Sequence, residues 1–186
     1  MIEKMLRNKN EFQTVFTLSE IATFVGKNPD QNLISALSYY SKVGKLIRLS
    51  KGLYALDYNY SEQELANKIR QPSYISLYTI LQEHAVVFQV YTSVFSISNR
   101  TEQFIINNQN YIYRKLKSQI LLNNLGITEE NGVFKAGLER ALLDKIYLDG
   151  DEYFDNLRNV DWKFATELNK NVYKSKKVQN YINSYV

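Results

Sequence analysis

The 186-residue chain has no cysteine, a single histidine and only two prolines. Without cysteine there is no disulfide scaffold, no thiolate zinc site and no cysteine nucleophile, and His84 alone builds no histidine cluster for a transition metal. No apolar run reaches the length needed to cross a bilayer. The opening MIEKMLRNKNEF also lacks the apolar stretch and small-residue cleavage site of a secretory signal. These absences predict a cytoplasmic protein with no cofactor, no metal and no membrane partner.

What is present is apolar and aromatic content, 45% and 13% of the chain, enough for one sizeable core or two small ones. The net charge of +4 is unevenly spread. Residues 1–60 carry 8 basic and 5 acidic side chains, 61–160 carry 10 and 12, and 161–186 carry 5 and 2. Basic ends around a slightly acidic middle fit a polyanion partner.

In LSEIATFVG, residues 18–26, Leu18, Ile21, Ala22 and Val25 recur at i, i+3, i+4, i+7 and Gly26 follows, which predicts a short helix. KNPD then supplies Pro29 and the N-cap candidate Asp30. Leu33, Ala36, Leu37, Tyr40 and Gly44 share the face of a second helix ending near Gly44. LIRL and LYAL flank SKG, whose Gly52 supplies the positive φ of a tight hairpin. With a further helix over residues 2–10, the expectation is a winged helix-turn-helix.

Residues 57–73 read as a linking helix with a capping box, Ser61 and Glu64, ending before Pro72, so the domain boundary is placed near residue 60. Beyond it, YISLYTILQEH reads as helical, VVFQVYTSVFSIS as strand and EQFIINNQNYIYRKL as a hairpin turning at NNQN. AGLERALLDKIYLD, DEYFDNLRNV and the C-terminal segment read as helices, the last broken after Ser175, where Val178, Tyr181, Ile182 and Tyr185 begin a new stripe. The fold class is therefore α+β: residues 1–60 as a winged helix-turn-helix DNA-binding domain, then 61–186 as a mixed α/β domain ending in helices.

The second helix of a helix-turn-helix lies in the major groove, and the wing meets the phosphate backbone. Gln31 and Asn32, in its first turn, carry amides suited to adenine, and Ser35, Ser38, Tyr39 and Lys42 continue along the same side. Lys27, Asn28, Arg48 and Lys51 are the candidate phosphate contacts. Winged helices also dock proteins, so a protein-interaction module that holds its partner without DNA is the alternative.

Catalysis is not expected. Glu139 and Asp144 lie near Arg140 and Lys145, but Leu138, Ala141, Leu142 and Ile146 form the buried face, which leaves the charges at its margin as ordinary ion pairs. His84 reads as a capping or partly buried residue. Lys163, Lys170, Lys174 and Lys177 share a helix face opposite Ala165, Leu168 and Val172, a solvated face by default and a nucleic-acid or acidic-protein contact otherwise.

GLYAL closing the first domain, PSYISLYTIL opening the second, VYTSVFSISNR with YIYRKLK behind it, and AGLERALLDKIYL together resemble, in order and spacing over residues 15–158, the AbiEi family. These are antitoxins of type IV toxin-antitoxin systems that act in phage defence by abortive infection. The pattern falls on Gly52, Tyr54, Pro72, Tyr74, Ser76, Leu77, Thr92, Arg100, Tyr113, Arg114, Lys117, Glu139, Arg140, Ala141, Leu142 and Asp144, with Gly137 where the family usually has proline. The resemblance implies a repressor of its own operon that binds inverted repeats in double-stranded promoter DNA. It also implies a C-terminal domain that opposes a cognate nucleotidyltransferase-like toxin, by contact or indirectly. Arg100, Arg114, Lys115 and Lys117 gather around one predicted hairpin and are the candidate basic surface for that toxin, its RNA target or DNA.

Overall fold

The computed structural model describes residues 1–186. The chain passes through helix α1 (Ile2–Asn8), strand β1 (Val15–Thr17), helices α2 (Leu18–Val25) and α3 (Gln31–Lys42), strands β2 (Ile47–Ser50) and β3 (Leu53–Ala55), and helix α4 (Glu62–Ile69). Together these make the first of two units, Met1–Ile69. Thr17 starts α2 with a reciprocal capping box: its hydroxyl accepts from Glu20 N–H at 3.1 Å, and the Glu20 carboxylate accepts Thr17 N–H at 2.6 Å. Gly26 ends α2 in the left-handed region (φ 67), and Asp30 starts α3 by accepting Leu33 N–H at 2.9 Å. The apolar spacing then does its work. Ile21, Ala22, Val25, Leu33 and Leu37 meet Met5, Phe16, Leu46 and Tyr54 in one core, each fully buried leucine contributing about 1.5–3 kcal/mol.

Strand β1, three residues long, was not legible from alternation. It pairs antiparallel with β3 (Val15↔Ala55, Thr17↔Leu53), giving the sheet order β1-β3-β2. The boundary expected near residue 60 lies instead after Ile69, because α4 is tied into the first unit by polar contacts. Ser61 Oγ accepts Glu64 N–H at 3.2 Å as the capping box requires, but the Glu64 carboxylate does not return to Ser61. One of its oxygens accepts Thr14 N–H (2.9 Å), Thr14 O–H (2.6 Å) and Val15 N–H (3.1 Å), and the other pairs with Lys68 at 3.1 Å.

The second unit, Arg70–Val186, contains β4 (Ser73–Ile75), α5 (Tyr78–Glu83), β5 (Val94–Ser98), β6 (Glu102–Ile106), β7 (Gln109–Lys115), α6 (Ser118–Leu121), β8 (Ile127–Glu130), β9 (Val133–Ala136), α7 (Leu138–Asp149), α8 (Trp162–Leu168) and α9 (Lys176–Ile182). A π-helical turn, Asn169–Tyr173, continues α8. The six strands run in the order β6-β7-β5-β4-β9-β8, with β5·β7 and β4·β9 parallel and the other neighbours antiparallel. The whole chain is thus α+β, with nine α-helices and two sheets, and none of its helices is long and apolar enough to cross a membrane.

Three expectations are corrected here. Tyr74 and Ile75, read as the start of a helix, lie in strand β4 inside the sheet, buried on opposite faces. Of VVFQVYTSVFSIS only Val94–Ser98 is strand. Val86 and Val87 are buried in an irregular stretch, and the Val86 carbonyl accepts Asp155 N–H at 3.0 Å. DEYFDNLRNV forms no helix; it anchors through buried Phe154 and Val160.

The expected β6–β7 hairpin does turn at Asn107 and Asn108, both with positive φ (49 and 63). Replacing Glu64 by alanine would strand the donors of Thr14 and Val15. A loss of about 2–4 kcal/mol is expected in chemical denaturation of the full chain, with faster hydrogen exchange at the β1 amides.

Candidate nucleic-acid interface

Leu33 and Leu37 face the core, so the opposite side of α3 is presented to solvent. Gln31, Asn32, Ser35, Tyr39 and Lys42 are all exposed there, while Ser38 is half-buried. Tyr39, at 62% exposure, leans edge-on against Tyr40 with ring centroids 5.7 Å apart. Lys27 and Asn28 sit exposed in the turn between α2 and α3. Arg48 is exposed on β2 opposite Tyr54, and the strand bulges just after it. Lys51 forms the tip with Gly52, whose φ of 76 suits glycine and whose carbonyl accepts Leu18 N–H at 2.9 Å. The tip is therefore pinned to the start of α2.

Positive charge is concentrated on this surface. Residues 27–51 contain Lys27, Lys42, Lys45, Arg48 and Lys51 against one acid, Asp30, whose carboxylate is occupied in capping α3. All five cations are exposed and none takes part in an ion pair.

In the second unit the four residues expected to share a basic surface do not all remain available. Arg114 donates to Asp149 through both terminal nitrogens, at 2.6 and 3.2 Å, whereas Arg100, Lys115 and Lys117 are exposed. Asp149 also accepts from Lys145 at 2.8 Å, and these two cations hold its carboxyl below the ordinary aspartate value against the effect of burial. Lys145 reaches Glu152 at 2.6 Å and lies 4.8 Å from the centre of the Tyr78 ring. Burial and the bond to Glu152 raise the Tyr78 hydroxyl to about 12. His84 is exposed at the C-cap of α5. Lys163, Lys170, Lys174 and Lys177 are all exposed, but Lys174 adopts a left-handed φ of 49 where the helix breaks, so the four do not continue one helical face.

The charges of α7 depart most from expectation. Arg140 and Asp144, placed at the helix margin from the sequence, are both 0% exposed. Asp144 accepts O–H bonds from Tyr173 (2.7 Å), Ser76 (2.8 Å) and Tyr74 (3.0 Å), with Arg140 Nε 3.5 Å away. The Arg140 guanidinium donates to Tyr74 Oη (3.0 Å) and to the carbonyls of Ile120 (2.8 Å), Leu125 (2.9 Å) and Asn123 (3.1 Å). Burial first, and then the Asp144 charge, push the hydroxyls of Tyr74 and Tyr173 well above the tyrosine range, so both remain protonated donors. Burial raises Asp144 itself, opposed by Arg140 and the three hydroxyls.

Glu139 plays a separate part, accepting Asp161 N–H at 2.9 Å and so fixing the residue that caps α8. An i,i+4 Arg–Asp pair was visible in the sequence. Its partners lie tens of residues away and carried no local signal. No three Asp, Glu or His side chains converge as a metal-ligand set.

Asp144 and Arg140 are sealed from solvent and bonded to β4, α6, the loop after it and the π-helical turn, with Arg140 Nε alone left without a hydrogen-bond partner, so their part here is to hold these elements together. Asp144→Asn leaves a buried guanidinium without its countercharge and is expected to cost about 3–5 kcal/mol in chemical denaturation. Asp149→Asn, at a half-exposed pair, is expected to cost about 1 kcal/mol or less. In comparisons with known proteins, no family model and no curated protein matches this chain.

Proposed function

We propose that this chain is a DNA-binding transcriptional autorepressor and antitoxin of a type IV toxin-antitoxin system, acting in the cytoplasm without enzymatic activity. The observation that carries the DNA-binding half is the exposed, unpaired set on α3 and the β2–β3 tip: amides at Gln31 and Asn32, and cations at Lys27, Lys42, Arg48 and Lys51. The first unit runs helix, strand, helix, helix, strand, strand, with sheet order β1-β3-β2, which supports reading it as a winged helix. In that reading α3 enters the major groove, with Gln31 and Asn32 at base edges and Ser35 and Tyr39 further along the groove wall. Lys27, Asn28, Lys42, Arg48 and Lys51 then meet phosphates.

The antitoxin half rests on the ordered segments that resemble the AbiEi family. Arg100, Lys115 and Lys117 are the exposed cations that would meet the nucleotidyltransferase-like toxin or its RNA. A second reading, protein docking by the first unit, is favoured by Ile34, Tyr39 and Val43, which are 36%, 62% and 47% exposed on or beside α3.

Binding to DNA from upstream of the chain's own gene is expected to weaken steeply with salt. Lys51→Ala should lower affinity for all sequences alike and reduce the salt slope by about 1. Gln31→Ala or Asn32→Ala should instead relax preference at one position by about 1–3 kcal/mol. No binding at low salt, measured by fluorescence anisotropy, would remove the repressor reading. Co-purification of a partner protein that Lys51→Glu leaves intact would favour docking.

A further inference from the structure

The two edges of the six-stranded sheet are built differently. Strand β8 ends in Glu129 and Glu130, both exposed, so a second copy laid along it would gather four carboxylates. Strand β6, EQFII, has no lysine, proline or bulge, and its one charge, Glu102, is held by a bidentate pair with Arg70. Arg70 also lies over the Phe104 ring, 4.9 Å from its centre. Ile105 stands 70% exposed on this edge.

The hairpin fixes which backbone groups of β6 are free. A two-residue turn at Asn107 and Asn108 makes Ile106↔Gln109 a hydrogen-bonded pair, so Phe104↔Tyr111 and Glu102↔Tyr113 are hydrogen-bonded as well. The N–H and C=O groups of Gln103 and Ile105 consequently point away from β7, towards solvent. They are spaced as an antiparallel copy of themselves requires.

We propose that two copies of this chain pair edge to edge through β6, antiparallel about a two-fold axis at Phe104, to make one continuous sheet. In this register Gln103 faces Ile105 of the other copy and the reverse, exchanging four backbone hydrogen bonds, while Phe104 faces Phe104. Glu102 then faces Ile106 and Arg100 faces Asn108, so no like charges meet. Of the two open edges, β6 alone has both unneutralised-charge-free pairing and an exposed apolar side chain to cover. The pairing is independent of whether the first unit binds DNA.

Analytical ultracentrifugation of the full chain should show a concentration-dependent dimer. Ile105→Lys should abolish it without altering circular dichroism, because each new lysine sits on the pairing edge. Gln103→Glu combined with Ile105→Lys should restore it, because every glutamate then faces a lysine across the axis. The register has its own readout in a chain with no native cysteine. Phe104→Cys places two thiols in a non-hydrogen-bonded pair about 4.5 Å apart at Cα and should cross-link on mild oxidation. Ile105→Cys, offset diagonally, should not. A monomer at every concentration, or a dimer that Ile105→Lys leaves intact, would overturn the proposal.

Discussion

Moving the charges of Arg140 and Asp144 out of water costs several kcal/mol per ion, and a contact of 3.5 Å between them does not offset that by itself. The pair is tolerable because most of its remaining hydrogen-bonding capacity is filled from elsewhere, Arg140 Nε being the exception, and the second unit is arranged to fill it. Strand β4 supplies Tyr74 and Ser76, α6 and the loop after it supply three carbonyls, and the π-helical turn supplies Tyr173. Strand, loop and C-terminal helices are thereby all referred to one helix, α7. The same crowding explains Gly126, where a Cβ would come within 3.1 Å of Arg140 and 3.2 Å of Leu168 and where φ is 77.

Ion pairing is concentrated in the second unit. In the second, Arg70, Arg114, Lys135, Arg140 and Lys145 each meet a carboxylate. In the first, Lys68 alone among the cations is in an ion pair, bridging Glu20 and Glu64 where α4 closes onto the strand. An apolar core holds the rest of that unit. Free positive charge is not confined to the first unit, since Arg100, Lys115, Lys117 and the C-terminal lysines are exposed outside these pairs as well.

Much of this was readable locally. The helices at 18–25 and 31–42, the hairpin turning at Gly52, the turn at Asn107 and Asn108 and the break at Ser175 all follow from apolar spacing, caps and positive-φ residues within a few positions of one another. Asn131-Gly132, with φ of 53 and 80, is likewise a strong local hairpin sequence, and it joins β8 to β9. Other features had no local signal. Residues 73–75 carry the same apolar density whether helix or strand, and only pairing with β5 and β9 makes them strand. The Glu64 carboxylate looks like half of a capping box until Thr14, fifty positions away in sequence, takes it.

The sequence by itself determined the helices at 18–25 and 31–42, the turns that follow them and the solvent-facing side of α3, because helix periodicity and capping are short-range effects that act before any distant segment arrives. Only the tertiary structure decided which charges are buried and which are spent. Burying Arg140 and Asp144 depends on partners brought together from residues 74 to 173. No spacing along the chain encodes that desolvation balance.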